Sequence, residues 1–266
     1  MASKSLTPHD LLILEKIKDP ESAPSVPLLI DSSLPRDPHV TDPTEYEKIA
    51  ASEGQIIKEF QALEARIAAC APNNEEALAK KLADYDSCIS KLADLITSKP
   101  TYASAHNNYA QALRRKYGES VLLKTSNPLP SLTKPTSTSN EAAITTAAST
   151  ILSSLDTAIA LLTPPTPFAA ISPQAAKTLS QAHTQRGALY HITAKQMNAD
   201  PEASVRIGSR WTAVDLEDMA SRDFMMGGRY GNEIARVLAV ATNPTAKLCG
   251  SIVREAMRKE FGEMAA

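Results

Sequence analysis

The stretch PTYASAHNNYAQALRR (residues 100–115) decides the fold class of this chain, because it combines a helix start with a helical face of small side chains. Pro100 interrupts the preceding segment, and the residues that follow place Ala110 and Leu113 on one face of a helix. The small side chain of Ala110 allows a neighbouring helix to approach closely. The stretch therefore predicts the first helix of a packed helix pair.

The same spacing recurs on both sides of this stretch, which indicates an internal repeat. Matches for the second helix of a pair are Cys88/Leu92/Leu95, Ile151/Leu155/Ala158 and Ala220/Phe224, and those for the first helix are Ala50/Gly54/Ile57 and Gly187/Tyr190. The spacing predicts an all-α solenoid of the tetratricopeptide type, with three degenerate, extended pairs over 44–98, 101–162 and 173–226. A capping helix is expected over 244–262. An ordinary helical bundle with alanine seams remains the alternative.

Three segments surround or interrupt these pairs. An N-terminal helix is expected over 1–19 and a Pro-rich linker over 20–42, with the helical domain occupying 43–266. A flexible loop is expected over 118–139, because its second half is rich in proline, serine and threonine. Gly227 and Gly228 are expected to end one helix before the next begins.

Composition argues against several classes of protein. The 28 basic and 30 acidic residues give a net charge of -2, which argues against nucleic-acid binding. No run approaches 18 apolar residues, and the N-terminus has no long apolar stretch, so neither a membrane span nor a secretory signal is expected. The three cysteines form no CxxC pair and suit a reducing compartment. A cytoplasmic, and also nuclear, location is the expectation.

Four motifs resemble the tetratricopeptide repeat protein 36 family, and together they extend over nearly the whole chain. They are the stretch 105–115, Gln185-Arg186-Gly187, Arg222-Asp223-Phe224, and the terminal segment from Asn243-Pro244 to Cys249. The resemblance implies a non-enzymatic interaction protein that associates with Hsp70-type chaperones and is linked to tyrosine catabolism. It implies Hsp70 and a client enzyme as protein partners.

Stacked helix pairs leave a concave groove in which a partner can bind. The groove is expected to use Asn107, Asn108, Gln111 and Arg115, with Arg114 or Arg186 near one edge. In chaperone-binding relatives a clamp of lysine, asparagine and arginine grips a terminal carboxylate, and Asn108 matches its asparagine. The basic positions of the clamp hold Ala51, Gln181 and Gln185 here, so weak dependence on a terminal carboxylate is expected.

No catalytic, cofactor-binding or metal-binding residue is predicted. His183 and His191 lie eight residues apart, whereas metal ligands on one helix more often lie four apart. An enzyme that uses Cys88 or the glycines near 227–231 remains an alternative, although Cys88 and Cys249 are expected to be buried in apolar helix faces. A structural subunit of a stable complex is the second alternative.

Overall fold

The computed structural model describes residues 28–69, 75–125, 128–129, 131, 138–200, 202–207 and 211–261. Within these ranges the chain forms helices and two very short strands. In chain order they are α1 (Pro43–Ala68), α2 (Glu75–Ser98), α3 (Ala103–Tyr117), β1 (Leu123–Lys124), α4 (Thr138–Leu162), α5 (Pro173–Ala199), β2 (Ser204–Val205), α6 (Ala213–Arg229), α7 (Glu233–Thr242) and α8 (Pro244–Phe261). The helix expected over 1–19 and the first part of the expected linker lie outside the described residues.

The helices begin at side chains that satisfy their free N–H groups. Asp42 accepts a hydrogen bond from the backbone N–H of Thr44 at 3.0 Å, and Pro43 occupies the first turn of α1. Ser172 accepts from the N–H of Ala175 in the same way at the start of α5. These Asp-Pro and Ser-Pro pairs therefore act as the helix starts that the sequence predicts.

Each helix packs mainly against the next one in the chain, and α3 also packs against α5. The centre of the core is α4, where Ile151, Leu155 and Ala158 are fully buried. Residues 141–162 of α4 are long and apolar enough to cross a membrane by length and composition, and 44% of this apolar window is buried against neighbouring helices. The all-α class is confirmed. The regular solenoid repeat stays a prediction.

Residues 28–42 form a strap that packs on the helices, so the expectation of a simple linker over 20–42 is wrong for this part. Leu29 and Asp31 exchange backbone hydrogen bonds with Ile171 at 2.9 and 3.0 Å. The hydroxyl of Ser172 donates to the carbonyl of Arg36 at 3.1 Å. The buried side chain of Val40, the packing of Leu28 on the core and these hydrogen bonds hold the strap in place despite its prolines.

The expected flexible loop over 118–139 contains a buried segment at its start. Val121, Leu122 and Leu123 are fully buried. β1 pairs antiparallel with β2, and the N–H of Arg206 donates to the carbonyl of Leu122 at 2.9 Å. The loop expectation is therefore wrong for residues 118–124, because three consecutive apolar side chains bury enough surface to fix the backbone.

Gly227 and Gly228 lie in the last turn of α6, which ends at Arg229, one residue beyond Gly228. A Cβ atom at Gly228 would lie 2.8 Å from the Cα atom of Arg236, so the missing side chain lets α7 pack directly on α6. The expected burial of Cys88 is confirmed, whereas Cys249 is exposed on α8. The apolar face of α8 that carries Cys249 has no neighbouring helix to bury it within the described part of the chain.

The junction of α2 and α3 should not tolerate a large side chain at position 110. Ala110 is fully buried in the same cluster as Leu92. We expect Ala110→Trp to lower the free energy of unfolding by about 1–3 kcal/mol or more, because the core must open to hold the indole. Gln111→Trp, at the neighbouring exposed position, should change it by about 0.5 kcal/mol or less. Urea unfolding of both variants measures the difference, and equal values would contradict the packing.

Candidate functional site

A cleft between α1, α2 and α3 contains three of the six residues that the sequence assigns to partner binding. Asn108, Gln111 and Arg115 line it from α3. Its volume is about 170 Å³. The residues that complete its wall are Ile57, Phe60, Gln61, Glu64, Tyr85, Leu92 and Ala112. We call this opening the α1–α3 cleft.

The α1–α3 cleft has an aromatic floor and a rim that carries both charge signs. The rings of Phe60 and Tyr85 meet edge to face with their centroids 4.9 Å apart. At the rim, the Nη1 atom of Arg115 lies 3.6 Å from the Oε2 atom of Glu64, and both side chains remain partly exposed. The cleft therefore combines a firm apolar surface with polar groups that water or a partner can reach.

Behind the cleft, the buried carboxylate of Glu53 joins α1 to the start of α3. Glu53 is only 6% exposed. Its Oε2 atom accepts from the hydroxyls of Tyr102 and Ser104 at 2.7 and 3.0 Å, and its Oε1 atom accepts from Nδ2 of Asn108 at 2.7 Å. Three donors compensate the loss of hydration that burial imposes on this carboxylate.

Burial raises the pKa of Glu53, and the three hydrogen bonds oppose that rise without cancelling it. The nearby carboxylate of Asp37 adds to the rise. Asp37 is itself buried, and its Oδ2 atom accepts from the N–H of Ala103 at the first turn of α3 at 3.4 Å. The start of α3 is thus held by two buried acidic residues, one from the strap and one from α1.

This network determines which atom of the Asn108 amide remains available for a hydrogen bond to a partner. Its Nδ2 atom is used by Glu53 and, more weakly, by Ser104 at 3.4 Å. The atom left to contact a partner is the amide oxygen Oδ1, which can accept a hydrogen bond from a peptide N–H. The structure fixes Asn108 as an acceptor in the α1–α3 cleft.

Asn107 and Arg114 point away from the cleft and into the contact between α3 and α5. Asn107 is only 2% exposed, and its Oδ1 atom accepts from Nε2 of Gln185 at 2.8 Å. Arg114 donates to the backbone and side-chain oxygens of Gln185, both at 3.3 Å, and to Glu119 at 2.6 Å. Their expected position on the groove surface is wrong, because Gln185 of α5 covers that side of α3.

Arg186 is also committed to internal ion pairs. Its Nε and Nη2 atoms donate to the two carboxylate oxygens of Asp223 at 2.7 Å each, and its Nη1 atom donates to Asp156 at 2.5 Å. Nδ1 of His183 lies 2.8 Å from the same Asp223 carboxylate. Burial alone would raise the pKa of Asp223, but Arg186 and His183 outweigh it and hold the pKa below its ordinary value. Arg186 therefore joins α4, α5 and α6 instead of lining a groove. We call the group of Asp156, His183, Arg186 and Asp223 the ion-pair joint.

Two of the motifs that carry the family resemblance meet at this joint. Gly187 follows Arg186, and a Cβ atom there would lie 3.1 Å from the ring of Phe224 and 3.2 Å from the carbonyl of Ala220. Gln185-Arg186-Gly187 and Arg222-Asp223-Phe224 thus form a packing contact between α5 and α6. Their role in this structure is to fix two helices.

Glu53 is the central residue that sequence reasoning did not single out. It lies at helical spacing between Ile49 and Ile56, which are apolar and face the core. A glutamate at such a core-facing position predicts a buried hydrogen-bond network, and this pattern could have identified Glu53 from sequence.

The described residues contain no group of three or more histidine, cysteine, aspartate or glutamate side chains that could hold a metal ion. His183 lies within the ion-pair joint, and burial lowers the pKa of His191. These two histidines have separate environments, since His183 stacks on Tyr230 whereas the ring of His191 meets Phe224 edge to face.

Comparison with known proteins identifies a relative along almost the entire chain. The L-tyrosine degradation gene cluster protein hmgX of Aspergillus fumigatus is 36% identical over 264 residues, covering 96% of this chain and 93% of the relative. The chain belongs to the hmgX family. The name of hmgX concerns L-tyrosine degradation, in agreement with the tyrosine link that the resemblance implies. No protein-family model and no solved structure matches, so the tetratricopeptide assignment of this hmgX-family chain stays a prediction.

Removal of the Glu53 carboxylate should destabilise this hmgX-family protein. We expect Glu53→Ala to cost about 2–3 kcal/mol, because Tyr102 and Asn108 would be left with buried donors and no acceptor. Glu53→Gln keeps an acceptor and should cost less. Glu47→Ala, at an exposed position on α1, is the control. The measurement is urea unfolding at neutral pH, and a small loss for Glu53→Ala would contradict the network.

The pH dependence of stability provides a second test of Glu53. Its raised pKa means that the folded state favours the protonated carboxyl. The contribution of Glu53 to stability is therefore fully present below its unfolded pKa and is lost as the pH rises through the folded-state pKa. Relative to Glu53→Gln, the wild type should lose stability as the pH rises from about 4.3, the ordinary pKa of glutamate, towards neutral pH. A constant difference between the two proteins over this range would show that the carboxyl is not perturbed.

The ion-pair joint should be costly to break from either side. We expect Asp223→Asn to lower the free energy of unfolding by about 2–4 kcal/mol, because Arg186 would keep its charge in a mostly buried site. Asp218→Asn removes an exposed partner of Arg222 on the same helix and should cost about 0.5 kcal/mol or less. Equal losses in thermal unfolding would mean that Asp223 contributes no more than a surface residue.

Proposed function

We propose that this hmgX-family protein is a non-enzymatic adaptor that acts in L-tyrosine degradation by binding a segment of a partner protein in the α1–α3 cleft. The observation that carries the proposal is the cleft itself, with its aromatic floor, its acceptor at Asn108 and its mixed rim. The name of the relative hmgX supports the metabolic setting. The partner is an enzyme of that degradation or a chaperone that serves it.

The size of the cleft favours one side chain of a protein over a small-molecule substrate. Its volume is about 170 Å³. Typical small-molecule pockets have volumes of roughly 300–1,000 Å³. A dry cavity of about 150 Å³ can hold benzene. One aromatic or large aliphatic side chain of a partner therefore fits above Phe60 and Tyr85.

The polar groups at the rim suit a peptide backbone. Asn108 presents Oδ1 to a backbone N–H, and the exposed amide of Gln111 can donate to a carbonyl or accept from an N–H. Arg115 lies beside Glu64, so the rim carries no concentrated positive charge. A neutral, apolar segment of a partner matches this combination better than an acidic tail.

The same charge balance bears on Hsp70 as a partner. Arg114 and Arg186, the two cations that could complete a carboxylate clamp, are used in internal pairs. Recognition of a terminal carboxylate would then rest on Arg115 alone within the cleft. We therefore propose that any contact with Hsp70 uses a region other than its C-terminal carboxylate and depends only moderately on salt.

The test is a binding titration of the purified protein against the individual enzymes of L-tyrosine degradation from the source cell. Gln111→Trp should block the cleft without unfolding the chain and weaken binding by at least about tenfold. Gln181→Trp, an exposed glutamine on α5, is the matched control and should change affinity by less than about twofold. Binding to none of the enzymes, or equal binding by both variants, would contradict the proposal.

A parallel titration with Hsp70 tests the part of the proposal that concerns a chaperone partner. Full-length Hsp70 and Hsp70 without its last residues should bind equally well if the clamp is not used. Complete loss of binding on removal of the tail would contradict the proposed mode. Turnover of a tyrosine-derived compound by the purified protein alone would instead support the alternative that this chain is an enzyme.

A further inference from the structure

The helix α8 carries an apolar stripe that the described chain does not cover. Leu248, Ile252, Val253 and Met257 are 54–61% exposed. Every residue from 251 to 260 is exposed, while Lys247 anchors the first turn by an ion pair with Glu217 of α6 at 2.6 Å. Most of the stability of a helix in a protein comes from packing of its apolar face, and α8 has 18 residues. A surface that packs on the stripe would therefore stabilise α8.

The stripe has the same pattern when it is read from either end. Its members lie at positions 248, 249, 252, 253, 256 and 257, which are symmetric about the point between Ile252 and Val253. In an antiparallel pair centred there, Leu248 faces Met257, and Ile252 faces Val253. The two small residues, Cys249 and Ala256, also face each other. A two-fold interface requires this self-complementarity, in which each residue of one copy contacts the symmetry-related position of the other.

Most charges of α8 agree with the same arrangement, and Lys259 and Glu255, which lie beside the stripe, pair with each other at 3.1 Å. Lys247, Ser251, Arg254 and Arg258 lie on the face opposite the stripe, where they stay in water. In the antiparallel pair, the exposed Glu260 of one copy lies beside Thr245 of the other copy. That position is the first turn of a helix, where the helix dipole favours a carboxylate. The alignment thus adds one favourable charge contact at each end.

We propose that a second copy of this chain covers α8 through an antiparallel helix pair centred between Ile252 and Val253. The four large side chains offer apolar surface on the order of 300 Å² per copy. A standard stable interface buries roughly 800 Å² per partner. The pair belongs to the weak class, so the dimer forms at high protein concentration and dissociates on dilution. The proposal does not depend on the function of the α1–α3 cleft.

Sedimentation equilibrium of the full chain between about 1 and 200 µM tests the dimer. The wild type should pass from monomer to dimer within this range. Ile252→Glu places a charge beside the two-fold axis and should raise the dissociation constant by at least about 30-fold. Ser251→Glu adds the same charge to the opposite face of α8 and should change it by less than about threefold. A wild type that stays monomeric throughout, or equal effects of both variants, would overturn the proposal.

A cross-linking experiment tests the register. Ala256→Cys places a thiol opposite Cys249 of the second copy, within the short range that a disulfide needs. Mild oxidation should give a covalent dimer of twice the 28.5 kDa chain mass. The same variant with Cys249→Ser should lose it. Arg254→Cys, on the outer face of α8, is the matched control and should give little covalent dimer. Equal cross-linking of the two cysteine variants, or none with Ala256→Cys, would overturn the antiparallel register.

Discussion

Three consecutive residues of α5 hold the two halves of this structure together, and the bidentate pair of Arg186 with Asp223 is the central interaction among them. Successive residues on a helix point about 100° apart, so each of the three can reach a different neighbour. Gln185 bonds to Asn107 and Arg114 of α3. Arg186 binds α6 and α4, and Gly187 lets α6 approach closely. Together with α4, which packs on both α3 and α5, this turn of α5 thus connects α3, which lines the cleft, to α6.

The α1–α3 cleft depends on a second buried acidic group. Glu53 fixes the start of α3 through Tyr102, Ser104 and Asn108, so the acceptor atom of Asn108 is oriented before any partner arrives. Pre-oriented groups lose little conformational entropy on binding, which favours affinity from a small contact. The same carboxylate therefore stabilises the fold and shapes the surface that we propose for partner binding.

The helical class and most helix starts could be predicted from sequence, because caps such as Asp42-Pro43 and Ser172-Pro173 are local signals. Which of the expected groove residues line the cleft, and which are covered by another helix, could not be predicted from sequence. Asn107 and Asn108 are adjacent in an Asn-Asn motif, yet Gln185 of α5 covers one and the cleft exposes the other. Spacing shows which residues share a helix face but not which distant helix covers that face. The apolar patch over 26–30 indicates from sequence that the linker packs on the main body, but it does not show that the strap contacts Ile171, Ser172 and Ala103.

The contacts of the strap determine when in the folding of the chain it can dock. Leu29 and Asp31 bond to Ile171, and Arg36 bonds to Ser172, which lies 136 residues further along the chain. During synthesis the strap leaves the ribosome early, but its docking site is complete only when α5 has been made. Contacts of such long sequence separation slow folding, because a large loop must close before they form. Until α5 has been made, the backbone groups of the strap lack these partners and the core is incomplete, and a newly made chain in this interval is prone to aggregation or capture by a chaperone.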